Sequence, residues 1–168
     1  QTSADIRSIL EDVPSESPIW WSRPRAEYLL SQMSERHRAV ADRMISAKET
    51  IYGTVFRRVR GGRSMAELRT DGIAGCLRTP RGGSGRQILF AAGNNKFAVR
   101  LLTPRECARL MGADGFTITV PSNKALFGFG DAVCVPVIQW IAENYLTPVL
   151  EEMHVKEIGR KRCIRRAS

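Results

Sequence analysis

The chain has 168 residues, 43% of them hydrophobic, with a mean hydropathy of −0.23, which suits one folded domain with at most a small appendage. Its formal net charge of +9 points to an anionic partner: nucleic acid, a membrane surface or an acidic protein. No run reaches the roughly 18 to 20 apolar residues of a membrane span, and no charged-then-apolar leader opens the chain, so we expect no membrane partner. Of the 26 cations, 21 are Arg, whose planar fork suits phosphates and guanine edges better than a lysine point charge does. The competing reading is a merely basic surface. The cysteines Cys76, Cys107, Cys134 and Cys163 contain no C-x-x-C pair, and only His37 and His154 could join them. A zinc site is therefore not expected, and a reduced, cytosolic compartment is.

Residues 1–24 form a polar, proline-punctuated lead-in. Its paired Trp20 and Trp21 are expected to anchor a loop on the core rather than to stack on bases. Pro24 then suits a first helical turn, and Leu29, Met33, Val40, Met44 and Ala47 recur at helical spacing. One long helix is predicted over 24–49, with His37 solvated among its charged neighbours. "IYGTVFRRV" alternates like a strand and runs into the turn "RGGRS". Residues 57–86 hold eight arginines, no lysine, two acids and seven of the 14 glycines. Within them the Leu-Arg-Thr triplets at 68–70 and 77–79 read as marks of two adjacent strands. "RQILFAA" and "KFAVRLL" read as strands joined by the turn "GNN".

Beyond the strands, Thr103, Pro104 and Glu106 spell a capping box opening a short helix that stops at Gly112. "ALFGFGDAV" (125–133) reads as a tight loop entering a last apolar helix from about Val133. Pro136 falls in that helix's first turn, and Pro148 should bend or end it. The tail from Lys156 is basic.

Arginines among glycines are what reading a duplex asks for, because phosphates need positive clamps and base edges need forked donors. The candidate DNA-binding residues are Arg57, Arg58, Arg69, Arg78, Arg81, Gly82, Gly83 and Arg86. The glycines are expected to let these loops lie close to a groove. "GGSGRQ" fits neither a phosphate loop nor a dinucleotide fingerprint. No cysteine or serine has a base beside it in the sequence pattern, so no self-sufficient active site is expected.

"RLLTPRECARLMGADGF" and "ALFGFGDAVCVPVIQWIA", taken together, resemble the last two conserved blocks of the DNA cytosine-5 methyltransferase family. Arg100, Thr103, Glu106 and Arg109 match the structural motif of the first block, together with Leu110 and Gly112. Asp131, Ala132 and Val133 match the closing turn of the second, which completes the family's S-adenosylmethionine pocket. The "DGIAGCLRTPRGG" stretch looks like the family's target recognition signature. The resemblance covers about residues 66–150. Two departures stand out: Asp131-Ala132 replaces the common Asn-Ser, and Cys76 stands where a Thr is usual.

The resemblance implies base flipping, attack of a cysteine thiolate on cytosine C6, methyl transfer to C5 and elimination. No Pro-Cys dipeptide is present to supply that thiolate. The reading is therefore the recognition portion of a bacterial enzyme whose catalytic half lies upstream in the same gene or on a separate subunit, the chain alone being inactive. It assigns 1–99 to target recognition and 100–168 to the conserved C-terminal helices and basic tail. The partners are double-stranded DNA and that catalytic half; the cofactor is S-adenosylmethionine, with no metal. The fold expected is α+β: a small antiparallel sheet with Gly/Arg-rich loops, one long N-terminal helix, and a helical C-terminal segment packing on an absent α/β catalytic domain. A stand-alone sequence-specific DNA-binding module is the alternative, and a basic protein docking on an acidic partner is a third reading.

Overall fold

The computed structural model describes residues 5–79, 85–154 and 156. The architecture is α+β: α1 (Arg23–Ser31), α2 (Glu35–Ser46), β1 (Ile51–Arg60), β2 (Arg63–Arg69), β3 (Ile88–Gly93), β4 (Lys96–Leu101), α3 (Pro104–Leu110), α4 (Ser122–Asp131) and α5 (Val135–Ile141). The strands form one antiparallel sheet in the order β2-β1-β3-β4. Both hairpins turn on two residues with positive φ. These are Gly61 and Gly62 (54° and 73°) in the first, and Asn94 and Asn95 (53° and 58°) in the second. Tight hairpins favour that left-handed pair because it matches the strand twist.

Two apolar clusters flank the sheet. One joins Leu29, Leu30 and Met44 of the first two helices to Val55, Leu68, Phe90 and Val99. The other joins Leu89 to Leu102, Cys107, Ala108, Ala125 and Phe129. β3 contributes Phe90 to the first and Leu89 to the second, so its side chains are buried on both faces. That explains its continuous apolar run. Trp21 packs on the first cluster and Trp20 on the second, with the Trp20 ring nitrogen donating to Pro14 O at 2.9 Å. Both tryptophans anchor the lead-in.

Three sequence expectations change. The single long helix is two helices, because the chain gives up helical bonding at Gln32–Ser34 to cover the sheet edge. Ser34 is extended (ψ 160°) and caps α2 by accepting from His37 N. The outward amides of edge strand β2 then find partners: Ala66 N donates to Gln32 O (3.0 Å), and Leu68 N donates to His37 Nδ1 (3.2 Å). An exposed ladder edge invites pairing with other chains, and this one is closed. His37 is thereby part of the fold rather than solvated.

The second change is at "ALFGFGDAV", most of which is helix α4 rather than a loop. Ala125 and Phe129, one turn apart, are buried against α3. That burial outweighs about 1 kcal/mol of propensity lost at each glycine. The third concerns the Leu-Arg-Thr triplets. The first ends β2, whereas the second lies in irregular chain.

The chain divides into two compact units, Gln1–Ala132 and Val133–Ser168, while the expected boundary at 99/100 falls inside β4. In the second unit α5 widens into a π-helical stretch, Ala142–Leu146, and Thr147 N donates to Ala142 O. Helix then continues through Pro148 to His154. The wide turn sits just ahead of a proline whose ring would press on the carbonyl four residues back. Pro148 therefore does not end the helix. By length and composition Ser122–His154 is apolar enough to cross a membrane, with a mean hydropathy of 1.6 in its most apolar window. That differs from the sequence expectation that no run is long and apolar enough. The stretch is nevertheless interrupted, with extended backbone at Ala132 and Cys134.

Candidate nucleic-acid interface

The basic segment splits into a hairpin and a pinned loop. On the hairpin, Arg58 pairs with Glu67 at 3.0 Å and lies over the Phe56 ring. Arg57 is half-buried on the same strand. Val59 is 65% exposed at the hairpin's end, an apolar side chain beside cations. At the root of the loop Arg69 clasps Asp71 (2.5 Å). That contact raises the Arg69 pKa and lowers that of Asp71, first through the hydrogen bond they share. Asp71 also accepts from Ile73 N, so Arg69 shapes the loop rather than standing free for a ligand.

Two buried polar side chains of the sheet hold the loop between Ile73 and Cys76. Thr54 donates to Ile73 O at 3.0 Å. Gln87 accepts from Gly75 N and donates to Cys76 O, both at 3.1 Å. A Cβ on Gly75 would lie 2.8 Å from Gln87 Oε1, so this glycine makes room for the glutamine clip rather than for a groove. Leu77 then packs into the second cluster. Between that anchor and Thr79, the Arg78 side chain is exposed with no hydrogen-bond or ion-pair partner among the described residues. Arg81, Gly82 and Gly83 lie outside the described residues. Arg86 is half-buried and donates to Asn123 Oδ1 at 2.9 Å.

Three of the four structural-motif residues, Arg100, Thr103 and Glu106, meet at one buried ion pair. Arg100 and Glu106 are 1% and 0% exposed and bond through both guanidinium nitrogens, at 2.7 and 2.6 Å. The Glu106 oxygens also accept from Thr103 N (2.8 Å) and Glu11 N (2.9 Å). Four donors thus satisfy one carboxylate, which is the condition under which a buried pair is tolerated. Arg109 donates to Ile9 O and Leu10 O and pairs with Asp114. The motif therefore latches residues 9–11 onto α3. Beside it, burial first and then Glu106 push the Cys107 thiol up to about 12. Such a thiol is inert at neutral pH.

The loop and both flanking blocks have counterparts in known proteins. Residues 1–147 match the family described as C-5 cytosine-specific DNA methylase. The chain belongs to this family. The match reaches further toward the N-terminus than the residues 66–150 that carried the resemblance. A type II methyltransferase, M.HhaI of Haemophilus parahaemolyticus, is 34% identical over 125 residues, 69% of this chain and 38% of that protein. M.DsaV of Dactylococcopsis salina is 42% identical over 38% of the chain and 18% of its own length. M.NlaX of Neisseria lactamica is 53% identical over 27% of the chain and 15% of its own length. The chain thus spans less than two fifths of these C-5 cytosine methylase relatives. No solved structure gives a significant match.

Family membership implies S-adenosylmethionine, and the turn Asp131–Val133 is where the resemblance puts it. The donor set there does not fit such a group by itself. Asp131 accepts a hydrogen bond from the Thr79 hydroxyl, and Ala132 N is committed to Gly128 O. The wide cleft of about 520 Å³ lies elsewhere, lined by Trp20, Trp21, Tyr52, Phe97 and Arg100.

The contacts of Thr54, Gln87 and Asn123 with the basic segment were missed in the sequence. Gln87 and Thr54 carried a usable signal, each being a polar side chain set in an apolar strand pattern.

Proposed function

We propose that this chain is the target-recognition and DNA-binding portion of a DNA (cytosine-5-)-methyltransferase, which methylates C5 of cytosine in duplex DNA. The observation that carries the reading is the loop at 70–79. The side chains of Thr54 and Gln87 fix it at Ile73, Gly75 and Cys76, and it presents Arg78, which has no partner among the described residues, from a segment of net charge +6. A rigid loop with a forked donor loses little entropy when it meets a base edge. In this reading Arg78, Arg81 and Arg86 reach the duplex. Arg57 and Arg58 clamp phosphates from the hairpin, and Gly82 and Gly83 allow close approach. Arg69 serves through the loop it shapes.

S-adenosylmethionine supplies the methyl group of the whole enzyme. The reacting groups come from the remainder of the protein, so the chain alone transfers no methyl group. The exposed apolar side chains of the second unit, Trp140, Tyr145, Leu150 and Met153 among them, pack on that remainder. A helix apolar all round needs a protein or lipid environment, and a DNA enzyme of which this is a part offers the former. DNA as substrate places the protein in the bacterial cytosol.

Salt-titrated binding tests the reading. Affinity for a duplex should fall with a log–log slope of about −0.9 per neutralised phosphate. A flat response overturns it.

A further inference from the structure

Asp131 stands where the family resemblance implies a cofactor contact, yet its carboxylate accepts a hydrogen bond from Thr79 of the arginine loop. The residue before it is pressed on the same place. A Cβ on Gly130 would lie 2.5 Å from both the Arg78 carbonyl carbon and the Thr79 amide nitrogen. At the opposite end of α4, Asn123 Oδ1 accepts from Arg86 Nη2 at 2.9 Å. Between these two contacts Leu126 and Phe129 face Leu77, Gly85 and Gln87 across a gap of about 20 Å³, room for roughly one water. One helix therefore grips the chain both where it leaves the described loop and where it returns.

We propose that α4 positions the DNA-reading arginines, and that Asp131, with Gly130 and Asn123, is a specificity-determining positioning residue rather than a cofactor contact. The helix holds the chain at Thr79, next to Arg78, and again at Arg86, so it sets the separation of these two arginines. The inference rests on the DNA-recognition reading above. It also gives a reason for the departure from the common Asn: a carboxylate is the stronger acceptor for the Thr79 hydroxyl.

The test uses the full-length enzyme and its own methylation target, identified by sequencing DNA that it has modified. Binding of that duplex and of one with a single base pair changed is measured for Thr79→Val, Asp131→Ala and Asp131→Asn. S-adenosylhomocysteine affinity without DNA and the salt slope are measured alongside. Thr79→Val and Asp131→Ala should lower the preference for the target roughly tenfold, the scale of a lost base contact. The salt slope should be unchanged, whereas a general loss of structure would lower both affinities. Asp131→Asn, which keeps an acceptor, should restore the preference. Thr79→Val should leave S-adenosylhomocysteine binding intact. An unchanged preference in Thr79→Val overturns the proposal, and so does an Asp131→Ala enzyme that loses only S-adenosylhomocysteine affinity. If the wild-type enzyme prefers no sequence, the recognition reading itself falls, which is a distinct result.

Discussion

The loop at 70–79 and the helix from Val135 to His154 handle exposure in opposite ways. The loop is irregular, yet it is bonded side chain to backbone at Ile73, Gly75 and Cys76 and bonded to α4 at Thr79. The helix keeps helical backbone throughout, its π-helical stretch included, yet Trp140 and Leu150 are each 64% exposed. Regular backbone therefore does not mark the finished part of this molecule. The loop has polar partners among the described residues, whereas the helix carries apolar side chains that are exposed. In the proposed reading the first surface meets a polar ligand and the second meets protein.

The largest effect is expected at the buried ion pair of the first unit. Glu106→Gln should leave the Arg100 charge buried without its counter-charge and cost about 3–5 kcal/mol, read by urea denaturation. Next, Gln87→Met keeps volume but leaves Gly75 N and Cys76 O unmatched, at about 1–3 kcal/mol for each buried group. Amide exchange should accelerate at residues 73–77 while β3 stays protected. Arg78→Ala should then weaken duplex binding by about 1–3 kcal/mol if the side chain reads a base, with no change in melting temperature. Trp140→Glu sharpens the other side. It should shift the stability of the isolated chain by no more than about 0.5 kcal/mol, as exposed sites do, yet destabilise the full-length protein. The smallest effect is chemical: at pH 8 iodoacetamide should label exposed Cys76 and spare Cys107, whose thiol stays protonated. Peptide mass mapping reads the difference.

Much of the fold was legible because its signals are local. The Asn94–Asn95 turn, the Thr103 capping box and the alternation in β1 each depend on a few adjacent residues. The break between α1 and α2 was not legible, because its cause is a strand edge about thirty residues away that needs the Gln32 carbonyl and the His37 ring. α4 was hidden for a similar reason: its glycines lower helix propensity, and only packing on α3 restores the balance. For the candidate site, composition singled out the segment 57–86 but not the internal contacts within it. Arg69 and Gly75 have internal duties that only contacts across the sheet reveal, and the clips at Thr54 and Gln87 depend on pairings distant in sequence.

The latch at Glu106 bears on how such proteins can be recombined. Its carboxylate draws one donor from Glu11, one from Thr103 and the rest from Arg100, so a single acidic group ties the N-terminal arm to residues 100–106. A chimera that grafts the sheet and its loops onto a relative's body by a cut at residue 99 would divide Arg100 from Val99 and from the Glu11 arm. The transferable piece is the block from Ile6 to Ala132, exchanged whole or not at all.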